Sequence, residues 1–258
     1  MEIITSEHNP LLKDVRKASS RGGLTSQGYA VAEGFHLLDE ALGAGLEIGA
    51  VVVSESRVAG VEIDRLKPVP RIVKDSVFNS LSSTETPQGV LSLVRLKEWS
   101  LSDTKGDGAA LILVLDEVQD PGNAGAMARA AEAFGASGIV FLKGSVHAHN
   151  PKCLRGSAGS LFRLPFVERV EGGALHDFFE ENGIVLYAAE GKAEKALDQA
   201  VFSAPCAIAI GSEGRGISSA LGAKATMLRI PTVHVESLNA SVAAGVMLYE
   251  ASRQRRAK

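Results

Sequence analysis

Hydrophobic positions in this 258-residue chain follow two rhythms. Short unbroken apolar runs, such as Leu-Ile-Leu-Val-Leu at 111–115 and Ala-Ile-Ala-Ile at 207–210, read as strands buried on both faces. Between such runs lie stretches in which apolar residues recur every three or four positions, as helices require. Over the first part of the chain the pattern predicts helix 10–18, strand 29–33, helix 35–42 and strand 50–53. Strand 71–73, a short helix near 75–81 and strand 90–96 follow. Asn9-Pro10 sets a proline at a helix start, and Gly43 and Gly45 close the second helix. Strands alternating with helices predict a small α/β sandwich.

Residues 98–108 are polar and rich in Gly, Ser and Asp, a linker composition. They divide the chain into domains 1–97 and 109–258. In the second, strand 111–115 runs into a turn where Asp120 caps a helix with Pro121 at its first position. Helix 123–134 is alanine-rich and stops at Gly135. Strand 139–142, a short helix opened by Asn150-Pro151, strand 164–167, helix 174–181 and strands 184–189 and 207–210 come next. Strand, helix and strand in alternation predict a parallel sheet. A last apolar strand ends at Ile230, and Pro231 breaks it. The polar turn Glu236-Ser237-Leu238-Asn239 then opens a helix with Val242, Val246 and Tyr249 along one face.

Composition narrows the function classes. The chain is 45% apolar and 22% charged with net charge −3, ordinary for a globular protein and unlike a bulk polycation. Any nucleic-acid contact must therefore gather basic residues on one face. Lys13, Arg16, Lys17 and Arg21 form such a stretch, either a solvated helix face or a phosphate-tracking patch. No apolar run approaches the ~18 residues of a membrane span, and the polar N-terminus does not read as a signal peptide. Cys153 and Cys206 stand in no motif, as expected for a reducing, cytoplasmic setting. His147 and His149 have a spacing that suits metal ligands on a strand, but no third ligand is evident, so no metal is expected. A histidine loop beside a phosphate site is the other reading. Asn239-Ala240-Ser241 matches a glycosylation sequon, which carries no meaning without a secretory signal.

Three stretches carry candidate chemistry. Arg129 sits in the middle of the small-residue helix. It is either an outward-facing partner of Glu132 or Glu117, or an anion clamp. The turn Gly211-Ser212-Glu213-Gly214-Arg215-Gly216 follows a buried strand with spacing G-x-x-G-x-G. That is neither the dinucleotide fingerprint nor a P-loop. A carboxylate inside it, Glu213, disfavours phosphate and favours a cationic or hydroxyl-bearing ligand. The polar side chains of Ser237 and Asn239 suit a helix cap, or a ligand crevice outside the carboxyl ends of a sheet.

Together, DPGNAGAMARAAEAFG, AIAIGSEGRGIS and IPTVHVESLNASVAAGVMLYE resemble motifs 1, 2 and 3 of the SpoU (TrmH-like) RNA ribose 2′-O-methyltransferases of the SPOUT superfamily. NPKCLRGSAGSLFRLPF is similar to the segment that follows motif 1. The N-terminal part, with TSEHNPLLKDVRKASS and YAVAEGFHLLDEAL, is similar to the family's L30e-like substrate-binding domain. The resemblance implies an α/β fold: a C-terminal SPOUT domain with a parallel sheet and a deep trefoil knot, plus a small N-terminal α/β L30e-like domain. It implies S-adenosylmethionine as cofactor, a homodimer with the active site near the subunit interface, and RNA as substrate, with ribosomal RNA favoured over transfer RNA. A catalytically impaired RNA-binding protein of the same fold is the alternative from another class.

Carried over position by position, motif 1 implies site roles for Asn123 and Arg129. Motif 2 implies Gly211 at the cofactor and Glu213 as an acidic contact. Motif 3 implies Ile230 and Leu238 as backbone contacts to adenosine, with Ser237 and Asn239 as polar site residues. The family proposal has Arg129 draw off the 2′-hydroxyl proton. An arginine with a pKa above ~12 is a poor free base, so the reading here is that it binds the adjacent phosphate and orients the ribose. Lys152, Arg155, Arg163 and the C-terminal RQRRAK are further candidates for RNA phosphates. The sequence departs from the family in motif 3. Thr232 replaces a methionine, a glycine is lost or replaced by His234, and the loop is one residue shorter, so a different loop shape is expected there.

Overall fold

The computed structural model describes residues 3–60 and 66–256. The chain divides into two compact units, residues 1–98 with 149–163, and residues 99–148 with 164–258.

The first unit starts with β1 (Ile3–Ile4) and α1 (Pro10–Arg21), where the Asn9 side chain accepts from the Leu11 amide at 3.0 Å and caps the helix. β2 (Ala30–Glu33), α2 (Phe35–Gly43), β3 (Glu47–Ser54), β4 (Arg71–Val73), α3 (Asp75–Asn79) and β5 (Val90–Arg95) follow. The sheet order is β1-β4-β3-β5-β2, parallel from β1 to β3 and antiparallel where β5 pairs with β3 and β2. Leu12, Val15 and Ala18 of α1 pack with Val31, Val52, Val73, Phe78 and Leu91 into the core on one side of this sheet.

The expected linker is an ordered part of the second unit. Ser100 donates through its amide and hydroxyl to the Asp103 carboxylate at 2.7 and 2.6 Å, starting a 3₁₀ turn at Leu101–Lys105. Thr104 is fully buried, and a Cβ at Gly138 would lie 2.5 Å from its Cα, so the turn packs directly on the following sheet. That sheet begins with β6 (Leu111–Asp116), α4 (Pro121–Ala133) and β7 (Gly138–Leu142). The chain then leaves for residues 149–163, where α5 (Pro151–Ser157) belongs to the first unit. The expected division at 98–108 puts this segment in the second domain, and the contacts put it in the first unit. It resumes with β8 (Phe166–Val170), α6 (Gly172–Glu181), β9 (Val185–Ala189), β10 (Cys206–Gly211), α7 (Ser219–Gly222), β11 (Thr226–Leu228) and α8 (Ala240–Arg256). The last strand ends two residues before the expected Ile230.

The second sheet runs β11-β9-β10-β6-β7-β8, and every pairing is parallel. Leu111 through Leu115 are all fully buried, the double-sided burial that the unbroken apolar run predicts. The strand order reverses between β6 and β10, and such a point opens a crevice at the strands' carboxyl ends. One face is covered by α4 against α8. Ala124, Gly125, Met127, Ala128 and Ala131 meet a helix whose buried side is Ala240, Ala244, Met247, Leu248 and Ala251. The apolar face expected from Val242, Val246 and Tyr249 is the outer one, with those residues 50%, 36% and 51% exposed. Small side chains on the inner face let the helices approach closely, so the larger ones remain outside.

Candidate active site

Four strand ends converge on the site. At the end of β10, Ser212 and Gly216 exchange amide-to-carbonyl hydrogen bonds of 3.1 and 2.9 Å, closing a tight turn. Gly211 is required there because a Cβ would lie 2.2 Å from the Gly216 carbonyl. Gly216 itself has φ +69, which glycine adopts without strain. Asp116 at the end of β6 is buried, and its carboxylate accepts from the Ser218 amide at 2.6 Å, tying the far side of this turn to the sheet.

Beyond β11, Thr232 Oγ1 donates to the Val235 carbonyl and closes the shortened loop, leaving Val233 and Val235 in solvent. Asn239 then caps α8. Its Oδ1 accepts from the Ser241 amide at 2.9 Å, the Ser241 hydroxyl at 2.7 Å and the Val242 amide at 3.3 Å. Its Nδ2 points the other way and donates to Glu213 Oε1 at 3.1 Å and Asn123 Oδ1 at 3.2 Å. Asn123 Nδ2 donates to the same Glu213 oxygen at 2.7 Å. Asn239 therefore caps α8 with one end of its amide and joins Glu213 and Asn123 with the other.

Two cavities flank this triangle. The larger, about 600 Å³, is lined by Gly211, Ile230, Ser237, Leu238 and Asn239, together with Glu190, Gly191 and Lys192 at the end of β9. The smaller, about 290 Å³, is lined by Glu117, Gln119, Asp120, Asn123 and the turn from Gly211 to Arg215. Glu213, Arg215 and Ala240 border both. A Cβ at Gly191 would lie 3.0 Å from the Glu236 carbonyl oxygen, so the chain just after β9 packs directly on the loop before α8.

Seven of the eight expected site residues thus meet in one place. Arg129 does not. It is exposed on α4, six residues past Asn123, about 9 Å along the helix axis, and it lines neither cavity. Nor does it pair with Glu117, whose ion-pair partner is Arg215 at 3.5 Å. The lining residues Glu117, Glu190, Gly191, Lys192 and Arg215 were missed in sequence. Glu190 to Lys192 carry no motif, and their position just after a parallel strand is the signal that could have found them.

The basic candidates divide. In the first unit Arg155 lies 3.5 Å from the buried Glu33 carboxylate and donates to Ser83 Oγ at 3.1 Å, while Arg163 pairs with Glu40. Both are held by internal contacts; Lys152 is exposed. Arg16 is bound by Ser80 and Glu7, whereas Lys13, Lys17 and Arg21 are exposed along one ridge of α1. Of the C-terminal stretch, Arg253 pairs with Glu250. Arg255 donates to the carbonyls of Ala109, Ala110, Phe202 and Ala204. Ala257 and Lys258 lie outside the described residues. His147 Nδ1 lies 3.2 Å from Glu168 Oε1, which also accepts from the Ala148 amide at 2.7 Å.

Comparison with known proteins places this architecture. Residues 110–249 match the SpoU rRNA Methylase family, and residues 9–92 match the MRM3-like substrate binding domain. The chain is 36% identical over 258 residues to an uncharacterized tRNA/rRNA methyltransferase of Synechocystis, covering 97% of this chain and 93% of that one. It is 31% identical over 257 residues to the 23S rRNA (guanosine(2553)-2′-O)-methyltransferase RlmP of Bacillus subtilis, covering 96% and 98%. A crystal structure of an RNA 2′-O ribose methyltransferase superposes with TM-score 0.82 at 32% identity, over 99% of this chain and 100% of that one. The SpoU methyltransferase AviRb from Streptomyces viridochromogenes, in complex with AdoMet, superposes with TM-score 0.84 at 25% identity, over 96% and 99%. With the motif residues gathered at the carboxyl ends of a parallel sheet, this chain belongs to the SpoU rRNA methylase family.

Proposed function

We propose that this protein transfers the methyl group of S-adenosylmethionine to a ribose 2′-hydroxyl of ribosomal RNA. The observation that carries the reading is the convergence of the 211–216 turn, the 230–239 loop and the end of β9 on one cavity. The Asn123–Glu213–Asn239 triangle stands at its rim. The residues fit the cofactor. The turns at Gly211 and Gly191 pack backbone on backbone, where a Cβ would lie 2.2 Å from the Gly216 carbonyl and 3.0 Å from the Glu236 carbonyl oxygen, so the loops around the cavity are held close together. About 600 Å³ is ample for a nucleoside with an amino-acid tail.

Bound S-adenosylmethionine supplies a methyl group on a sulfonium, transferred to oxygen as the 2′-hydroxyl gives up its proton. The chain's part is alignment and exclusion of water. Gly211, Ile230 and Leu238 hold the adenosine, and Ser237 and Asn239 fix the loop around it. Asn123 and Asn239 both donate to Glu213, which keeps that carboxylate in one place beside the reacting groups. Arg129 stays a cation and binds the phosphate next to the target ribose. A 2′-hydroxyl also distinguishes RNA from DNA. The exposed ridge Lys13, Lys17 and Arg21 on the substrate-binding unit tracks the RNA backbone.

The active form is a homodimer. The exposed stripe Val242, Val246 and Tyr249 is an apolar face of the kind two copies bury in a two-fold interface. α8 begins at the cavity, where Ala240 and Ala243 line it, so a second copy on that stripe lies across the rim of the site. Arg129 then serves the site of the partner. The trefoil knot belongs to the same reading. Arg229 is held by the Ala193 carbonyl and the Lys195 backbone, while α8 ends against Ala109, Ala110 and Phe202. No helix among the described residues is long and apolar enough to cross a membrane, and the enzyme works in the cytoplasm on ribosomal RNA.

Two measurements test the reading. Calorimetric titration with S-adenosylmethionine gives saturable binding, and 2′-O-methyl mapping of ribosomal RNA from cells with and without the gene finds one position that depends on it. Absence of both refutes it.

A further inference from the structure

We infer that the smaller cavity receives the target nucleotide and that Glu117 reads its base, selecting guanine. The inference rests on the methyltransferase reading and adds the specificity element. The two cavities share Asn123's partner Glu213, and with it Arg215 and Ala240, so a nucleotide in the smaller one lies beside the cofactor cavity. About 290 Å³ takes one nucleotide drawn out of its stack and excludes a helix.

The carboxylates around it are not equivalent. Asp120 is used by the Asn123 amide at 2.7 Å, capping α4. Glu213 accepts from Asn123 and Asn239. Glu117 has only a loose ion pair, 3.5 Å to Arg215, whose side chain is 84% exposed. Its backbone has φ +54, a conformation that non-glycine residues rarely adopt. The neighbouring Gly144 makes room for its side chain, since a Cβ there would lie 3.2 Å from Glu117 Cγ.

RNA offers Arg215 a better partner, a phosphate. Arg215 then leaves Glu117, and a carboxylate covered by substrate needs new donors. Guanine is the one base whose pairing edge presents two adjacent N–H donors, N1–H and the 2-amino group, which together match one carboxylate. Uracil offers a single N–H between two carbonyls, and adenine and cytosine offer one amino group beside an acceptor nitrogen.

The test begins with ribosomal RNA from cells lacking the gene, methylated by the purified full chain, and the modified position mapped. A guanosine is expected. Any other base overturns the inference while leaving the methyltransferase reading intact; no methylation of any RNA overturns that reading itself. Synthetic RNA segments spanning the mapped site then carry guanosine or inosine at the target, inosine lacking only the 2-amino group. Wild-type kcat/KM falls about tenfold or more from guanosine to inosine. Glu117→Gln lowers kcat/KM on guanosine and loses the discrimination. If Glu117→Gln prefers guanosine as strongly as wild type, Glu117 does not read the base. Should that variant fold poorly, Glu117→Gly, which suits the positive φ, makes the same comparison.

Discussion

Asn239 Nδ2 donates to Asn123 Oδ1 at 3.2 Å across 116 residues of sequence, and both amides meet on one oxygen of Glu213. The contact links the first turn of α4 to the residue that starts α8, so the geometry of the proposed site and the helix cap share a side chain. The two functions separate by mutation. Asn123→Ala removes a donor from the triangle and caps nothing. Its turnover is expected to fall about 100-fold, the scale of a misplaced reacting group, with melting temperature unchanged. Asn239→Ala should lose turnover similarly and also about 1 kcal/mol of stability as its cap is lost. Thermal melts beside single-turnover assays check the pair.

Gly211→Ala sets a Cβ against the Gly216 carbonyl at 2.2 Å, backbone on backbone, and the turn must open. S-adenosylmethionine affinity is expected to drop by more than tenfold, about 1.4 kcal/mol. Gly191→Ala meets Glu236 at 3.0 Å and should cost less, since that loop carries exposed residues and can shift. Titration of the two variants in parallel gives the order, and equal affinities would place the cofactor elsewhere.

Arg129 lines neither cavity of its own chain, which makes its variants informative. Arg129→Ala should bind S-adenosylmethionine within about twofold of wild type while losing about 100-fold in turnover, as an orienting contact would. Arg129→Lys should recover part of that loss through its charge. Loss of cofactor binding in step with activity would refute the orienting role.

Arg255 is a structural cation. Arg255→Ala takes the guanidinium donor from the carbonyls of Ala109, Phe202 and Ala204, and leaves Ala110 with the Cys206 amide alone. About 3 kcal/mol of stability should be lost, or roughly 10 °C in melting temperature. RNA affinity measured below that temperature should not change. A weaker RNA complex with an unchanged melt would restore the phosphate-binding reading of the C-terminal residues.

The Glu250 carboxyl is held below its usual range, first by Arg253, which donates twice at 2.7 and 2.8 Å, and also by Gln254. A depressed folded-state pKa stabilises the fold above the unfolded value, and that contribution is lost as pH falls through the folded one. Glu250→Gln is therefore expected to melt about 2 °C below wild type at pH 7 and level with it once the wild-type carboxyl is protonated in the folded and the unfolded state alike. Melting curves from pH 7 to pH 3 follow the convergence.

Strand 111–115, the Asp120 cap and the three motif stretches were legible because each is local: a run of apolar residues, a capping side chain, glycines in a turn. The linker reading failed for the opposite reason. Ser100, Asp103 and Thr104 look like loop residues, yet two form a capping pair and the third is buried under Gly138. The stripe Val242, Val246 and Tyr249 located the helix α8 without telling its buried side, because hydrophobic spacing alone does not tell a core face from an exposed one. Arg155 and Arg163 looked like free cations because their partners, Glu33 and Glu40, lie more than a hundred residues away in sequence.

The excursion of residues 149–163 sets an order on synthesis. The N-terminal unit holds a buried Glu33 whose arginine partner is residue 155, so it emerges from the ribosome unfinished and stays so until β6, α4 and β7 have been made. No single cut separates the two units: a fragment ending near residue 98 lacks α5, and one beginning there carries α5 without its bed. Recombination that exchanges the N-terminal unit between relatives must therefore move two segments together, and grafts that move only the first should yield insoluble chains.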